Sequence, residues 1–290
     1  MLLTVITGPT ATGKTAFGIE LAKKHSGEIV SADSMQVYKY MNIGTAKPAI
    51  EERQGIPHHM IDIVLPWDHY SVARYVREAT LCIDDIIKRG KKPILVGGTG
   101  LYIDSLLAGR EFAEKGDENL RKKLEERYEI IGGEALLKEL NEFDPITAQK
   151  LYPNDKKRIV RAHETYLTTG KTQAAHDEET KQIPPRYKAE KYALTYEDRA
   201  TLYENIDKRV DNMIKSGLET EVANLIEMCK DKKSTAMQAI GYKEIAEVLK
   251  GKTSRAEAIE KVKMESRRYA KRQLTWLRRD KTLTWIVHPI

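Results

Sequence analysis

Between an apolar run at residues 2–6 and an amphipathic stretch at residues 16–24 lies Gly8-Pro9-Thr10-Ala11-Thr12-Gly13-Lys14-Thr15, which fits the spacing G-x-x-x-x-G-K-[ST]. No other feature constrains the fold as much. Strand, glycine loop and helix in that order form a phosphate cradle, because successive backbone N–H groups and the helix N-terminus face the anion. Lys14 adds a point charge, and the Thr15 hydroxyl is placed to hold Mg2+ against the phosphates. The bland reading is a glycine-rich turn that only joins strand to helix. Nothing in the motif says whether the phosphates belong to ATP.

The first ~110 residues alternate strands and helices, the pattern of a parallel sheet. Strand candidates are residues 2–6, 28–32, 60–64 and 93–96. Helices are expected after the loop, at 71–88 with Ser71 as N-cap, and at 101–107. The second strand runs into Asp33-Ser34-Met35-Gln36 and the fourth into Gly97-Gly98-Thr99-Gly100. Ligands of open α/β sheets sit outside the carboxyl ends of strands, so Asp33 and Thr99 are candidates for the cleft that holds Lys14. After Gly109 the chain turns highly charged, with helix-period segments near 119–128, 134–143 and 154–168 that end before Pro184-Pro185. A further strand at 192–195 and helices at 199–227, 236–249 and 255–277 follow. The expected fold is α/β: a P-loop NTPase-like parallel sheet flanked by helices, built from residues 1–110 and 186–290, with a helical insertion domain at 111–185.

Composition narrows the function classes. Of the 290 residues, 41% are hydrophobic and 32% charged, and no segment reaches the roughly 20 apolar residues of a membrane span. The apolar start lacks a basic leader and stops after five residues, so no signal peptide is expected. Cys82 and Cys229 fit no metal or redox spacing, which suits a reducing cytoplasm. Adjacent His58 and His59 cannot form an i, i+4 metal pair, and no third ligand lies near them. Ten basic residues against four acidic ones between 255 and 281 give a surplus of +6, equal to the net charge of the whole chain. Such runs are often just solvated helix faces. Here Tyr269, Gln273 and Trp276 interleave with Lys271, Arg272 and Arg278, a mixture that suits a polyanion with exposed bases.

Together these pieces resemble the tRNA dimethylallyltransferase (tRNA isopentenyltransferase) family. The resemblance is carried by the glycine loop, Ser31-Ala32-Asp33-Ser34-Met35-Gln36-Val37-Tyr38, Ile43-Gly44-Thr45-Ala46-Lys47-Pro48 and Pro57-His58-His59-Met60-Ile61-Asp62. It continues in order through Val96-Gly97-Gly98-Thr99-Gly100-Leu101-Tyr102, Lys157-Arg158-Ile159-Val160-Arg161-Ala162, Gln238-Ala239-Ile240-Gly241-Tyr242-Lys243-Glu244 and Tyr269-Ala270-Lys271-Arg272-Gln273-Leu274-Thr275-Trp276. Two departures stand out. The stretch after Gly109 is short for a bacterial member, and Asn205 stands where a second arginine is expected after Arg199.

The resemblance implies transfer of a dimethylallyl group from dimethylallyl diphosphate to the exocyclic amine of the adenosine 3′ of the anticodon (position 37) of tRNA. It also implies Mg2+, recognition of the anticodon stem-loop, a cytoplasmic setting and a monomer. The loop residues Gly8 to Thr15, with Arg199, would hold the diphosphate. Thr10 would donate to the departing bridging oxygen, and Asp33 would take the amine proton, a role worth ~10²–10⁴-fold; the alternative for Asp33 is a cap on the next turn. The tRNA side is expected at Asp33, Ser34, Met35, Gln36, Thr99, Arg121, Lys157, Arg158, Ile159, Val160, Arg161, Gly241, Tyr242, Lys243, Lys271, Arg272, Gln273, Trp276 and Arg278. For Gly241-Tyr242-Lys243 a turn with Tyr242 packed inward is an equal alternative. Two other readings stay open: an adenylate isopentenyltransferase acting on free nucleotide, which needs neither the insertion nor the basic helix, and a P-loop small-molecule kinase or NTPase. Against the kinase, the buried run Pro93-Ile94-Leu95-Val96 ends in Gly97-Gly98 rather than in a magnesium-binding aspartate.

Overall fold

Six strands form one parallel sheet: β1 (Leu2–Thr7), β2 (Gly27–Ser31), β3 (His58–His59), β4 (Lys92–Val96), β5 (Lys188–Tyr196) and β6 (Thr284–His288), in the order β3-β2-β4-β1-β5-β6. The computed structural model describes residues 2–109, 117–229 and 234–288. The chain forms two compact units, Met1–Leu107 with Arg186–Ile290, and Ala108–Pro185. The expected insertion start at 111 falls among residues 110–116, outside the described ones.

In the first unit β1, β2 and β4 are buried along nearly their whole length, as strands covered on both faces must be. Helix α1 (Lys14–Lys24) seats Ile19 and Ala22 on Ile6, Ile29 and Ile94. It comes close to the sheet because Gly18 has no Cβ, which would lie 2.7 Å from a Val96 methyl. Helix α2 (Val72–Lys88) buries Tyr75, Ala79, Ile83 and Ile86, spaced to make one stripe, and the Ser71 hydroxyl caps it by accepting from the Arg74 amide at 3.2 Å. Helix α3 (Gly100–Leu107) follows β4.

The second unit is helical, with α4 (Glu118–Ile131), α5 (Gly133–Phe143), α6 (Pro145–Ala148), α7 (Lys156–Thr169) and α8 (Gln173–Gln182). Its polar keystone is Glu164, 1% exposed, which accepts from Arg121 at 2.8 Å and from Arg161 at 3.1 Å. A buried carboxylate is tolerated there because two guanidinium groups pair with it.

The chain returns through β5 to α9 (Arg199–Lys215), α10 (Leu218–Met228), a 3-10 turn at Ala236–Gln238, α11 (Tyr242–Leu249) and α12 (Arg255–Leu277). The helix expected over 199–227 is two, because Gly217 turns left-handed at φ 96°. The one expected over 236–249 breaks at Gly241, φ 95°. A second core joins these helices to residues 37–46. Tyr242 is fully buried, its ring fills the space left by Gly44, and its hydroxyl donates to Glu221 at 2.6 Å. The same carboxylate accepts the amides of Asn42, Ile43 and Gly44 at 2.8 to 3.1 Å.

One strand expectation is corrected and one strand was not expected. Residues 60–64 are not a strand: Met60 (φ 63°) and Asp62 (φ 56°) are left-handed, Lys47 donates to Asp62 at 2.6 Å, and only Val64 makes a single bridge, to Tyr38. Pairing with β2 is confined to His58 and His59. The unforeseen β6 extends the sheet beyond β5.

Candidate active site

Parallel strands bring their carboxyl ends to one sheet edge, and the register sets Ile6 opposite Val96 and Thr7 opposite Ala193. The glycine loop therefore emerges between the ends of β4 and β5. Gly8 has φ 141°, and a Cβ there would sit 2.4 Å from the Leu194 carbonyl oxygen, so the chain leaves β1 in a way only glycine permits. The loop is braced from within and from the carboxyl-terminal strands. Thr12 Oγ1 donates to Pro9 O at 2.9 Å, and Tyr196 donates to Ala11 O at 3.1 Å. His288 Nε2, 3.0 Å from Thr12 O, carries the proton of that contact because a carbonyl only accepts. Lys14 Nζ donates to Pro9 O at 2.6 Å.

Asp33 faces this loop across the edge. Its Oδ1 accepts the amides of Met35 at 2.8 Å and Gln36 at 3.2 Å, which makes it a turn cap, while Oδ2 makes no hydrogen bond among the described residues. Capping thus occupies one oxygen and leaves the other. The Ser34 amide donates to Thr99 Oγ1 at 3.0 Å, tying the segment after β2 to the one after β4. Thr99 thereby braces the two segments. Gln36 accepts from Ser31 Oγ at 3.1 Å and donates to Ala46 O at 3.3 Å, which fixes its amide orientation.

Between these segments lies a cavity of about 400 Å³ lined by Thr10 to Thr15, Asp33 to Gln36, Gly44 to Ala46, Arg209, Tyr269 and Gln273, among others. Burial pushes Lys14 down to about 7, Arg209 pushes the same way, and Asp33 opposes both. Burial lowers Arg209 from its ordinary value as well, again against Asp33; a guanidinium stays charged regardless. Tyr269 is pushed up to about 12, chiefly by burial and then by Asp33. Two cations and one carboxylate in a desolvated pocket beside a phosphate loop suit a substrate that carries several negative charges and gives up a proton.

Arg209 is the cavity-lining cation that the sequence alone did not point to. Arg199, named instead, is exposed at the start of α9 and does not line the cavity. The signal that could have found it was helical spacing: Arg209 follows Asn205 by four residues, one turn along α9, so a cation stands on nearly the same helix face as the arginine expected there.

The tRNA candidates divide by burial. Lys271 and Arg272 are exposed on α12 and Arg278 just past its end, while Gln273 is 7% exposed and turned inward. Trp276 donates from Nε1 to Asp104 at 3.1 Å, with its ring over Gly100. In the helical unit Lys157, Arg158 and Arg161 are exposed, but Ile159 and Val160 belong to the interior, and Arg121 is committed to Glu164. Tyr242 takes the inward alternative, its side chain being held by Glu221, and the Gly241 amide donates to Glu244 at 2.8 Å. Lys243 remains partly exposed, 3.4 Å from Glu244. His59 pairs with Glu28, a carboxyl that Arg89 above all, and His59 after it, hold down at about 2. Among the described residues no group of three His, Cys, Asp or Glu could hold a metal ion.

Comparison with known proteins agrees along nearly the whole chain. A family model described as IPP transferase matches residues 36–280, and one described as isopentenyl transferase matches residues 1–62. A tRNA dimethylallyltransferase of Carboxydothermus hydrogenoformans is 52% identical over 98% of this chain and 91% of its own. The crystal structure of a tRNA delta(2)-isopentenylpyrophosphate transferase from Staphylococcus epidermidis is 45% identical, with TM-score 0.71 over 99% of this chain and 93% of that one. A eukaryotic dimethylallyltransferase described as acting on tRNA superposes with TM-score 0.82 at 35% identity, over 96% of this chain and 70% of that one.

Proposed function

The chain belongs to the IPP transferase family, whose matched relatives are tRNA dimethylallyltransferases, and from that premise we propose that its cavity moves a dimethylallyl group from dimethylallyl diphosphate to the exocyclic amine of the adenosine at tRNA position 37. It is a tRNA-modifying transferase with a P-loop-type parallel sheet. The observation that carries the finer reading is the meeting of Lys14, Arg209 and Asp33 in one cavity at the glycine loop.

In the reaction the allylic carbon–oxygen bond breaks, its electron pair leaves on diphosphate, and a carbon–nitrogen bond forms to the amine. Loop amides, Lys14 and Arg209 hold the oxygens on which charge grows, the preorganised arrangement that does most for such a step. The arriving diphosphate keeps Lys14 protonated despite its depressed pKa. The Thr10 hydroxyl donates to the bridging oxygen, and Asp33 accepts the amine proton through the oxygen its turn leaves unused. Mg2+ would be held by Thr15, a cavity-lining hydroxyl at the start of α1, together with the diphosphate oxygens, and would neutralise leaving-group charge. The lack of a three-residue ligand cluster among the described residues fits this, since magnesium is commonly bound through substrate phosphates and waters.

Lys271 and Arg272 on α12, Arg278 just past its end, and Lys243 are proposed to engage phosphates of the anticodon stem-loop. The helical unit, the insertion domain expected at 111–185, would offer Lys157, Arg158 and Arg161 to the same stem-loop. A monomeric catalyst is part of the same proposal, and a tRNA substrate supports a cytoplasmic setting. The deciding experiment incubates the protein with labelled dimethylallyl diphosphate, with labelled ATP in a parallel arm, and with tRNA or free AMP as acceptor, reading products by mass. Prenyl mass gained only by tRNA is the expected result. Prenylated AMP, or phosphate transfer from ATP at a comparable rate, would displace this reading.

A further inference from the structure

Gln273 sits in the middle of the most basic segment of the chain, yet its side chain is 7% exposed and both ends of its amide are used inside the protein. Oε1 accepts the backbone N–H of Thr10 at 2.9 Å, and Nε2 donates to the carbonyl of Gly98 at 2.9 Å. Gly98 is shaped to this contact, because a Cβ there would lie 2.3 Å from Nε2. One residue of α12 therefore bridges the loop after β1 and the loop after β4. The neighbouring turn repeats the attachment, with Trp276 on Asp104 and over Gly100. Lys271, Arg272 and Thr275 on the same helix remain exposed.

We infer that Gln273 is a positioning residue for the phosphate loop, not a contact to the bases of tRNA. The Thr10 amide it takes cannot also serve the diphosphate. In exchange, the residue whose hydroxyl is to meet the departing oxygen is pinned between two fixed groups, and reaction rate is sensitive to small displacements of such a donor. Both hydrogen bonds are needed, since a buried amide that loses one partner leaves that partner unsatisfied. The inference rests on the proposed role of the loop and Thr10 in prenyl transfer.

The test uses Gln273→Glu, in which a carboxyl group replaces the amide at nearly the same volume. When ionised it can accept from Thr10 but presents an oxygen to the Gly98 carbonyl; when protonated it donates there and restores both bonds. The single-turnover rate of this variant should be reduced about 10-fold or more at pH 8 and recover toward wild type as pH falls, with a new ionisation absent from wild type. Gln273→Met should be slow at every pH. The dissociation constant for an anticodon stem-loop, measured by fluorescence anisotropy, should stay within about twofold of wild type for both variants. A stem-loop affinity weakened about 10-fold, with an undiminished rate at saturation, would overturn the inference in favour of base contact. So would a Glu variant whose rate loss is independent of pH, or full activity in both variants. Lys14→Ala is run alongside: if it keeps full activity, the reading of the loop itself fails, whereas an inactive Lys14→Ala beside fully active Gln273 variants defeats only the positioning role.

Discussion

Lys14 and Arg209 come from opposite halves of the chain to line one cavity, where the charge of Arg209 adds to burial in lowering the Lys14 pKa to about 7. Two mutually repelling cations in a desolvated pocket are unfavourable until an anion arrives. With its pKa lowered to about 7, Lys14 in empty protein should shed its proton above that pH and regain it when the proposed diphosphate binds. Affinity for dimethylallyl diphosphate should therefore fall about tenfold per pH unit between roughly pH 7.5 and 9, with proton uptake detectable by calorimetry in buffers of different ionisation enthalpy. In the unfolded chain Lys14 holds its proton up to the ordinary lysine value of 10.5, so between about 7 and 10.5 the unfolded state binds more protons. This residue's contribution to the stability of the empty protein thus rises with pH in that window. An affinity flat from pH 7 to 9 would rule this out.

Replacing Arg209 by Met removes one proposed partner of the diphosphate and also the charge that, after burial, lowers Lys14. We expect weaker diphosphate binding by about 10- to 100-fold, with the alkaline limb of the binding curve displaced to higher pH. Weaker binding with an unmoved limb would mean that Arg209 does not act on Lys14.

Asp33→Asn keeps an oxygen for the Met35 and Gln36 amides while losing the base. The single-turnover rate should drop about 10²-fold or more, with stem-loop affinity and thermal stability little changed. A variant that folds, binds and reacts normally would leave Asp33 only its turn-capping role.

Substituting Lys271 and Arg272 together by Ala tests the exposed face of α12. The slope of log affinity for stem-loop against log salt should flatten by about one unit for each phosphate no longer neutralised, while diphosphate binding stays as it was. Unchanged slope and affinity would return these side chains to a solvated helix face.

Gly44→Ala probes the second core. The added methyl would meet the Tyr242 ring at 2.4 to 2.8 Å, and that ring is fully buried with its hydroxyl on Glu221. Overpacking of this kind costs about 1–3 kcal/mol, readable as a lowered urea midpoint. No change in midpoint would mean that the ring moves aside freely.

What could be read from the residues was local chemistry with strong periodicity. The strand–loop–helix around Gly8 and Lys14, the Ser71 cap and the glycine turn after β4 all follow from short-range rules. β6 was missed because it is an edge strand whose Trp285 and Val287 remain exposed, so it has no sharp apolar alternation. Left-handed Met60 and Asp62 defeated the strand expected at 60–64, since non-glycine residues in that conformation leave no mark in a sequence. Arg209 as a cavity residue and the inward turn of Gln273 were hidden for a common reason. Each sits on a helix among exposed charges, and only packing decides which side chains of such a helix turn inward.

The phosphate loop lies within the first fifteen residues, but its supports arrive late: β5 pairs with β1, Gln273 holds Thr10, and His288 holds Thr12. A chain emerging from the ribosome therefore carries the loop sequence long before it can have the loop structure. Contacts of such long sequence separation slow folding through the entropy of closing the intervening chain.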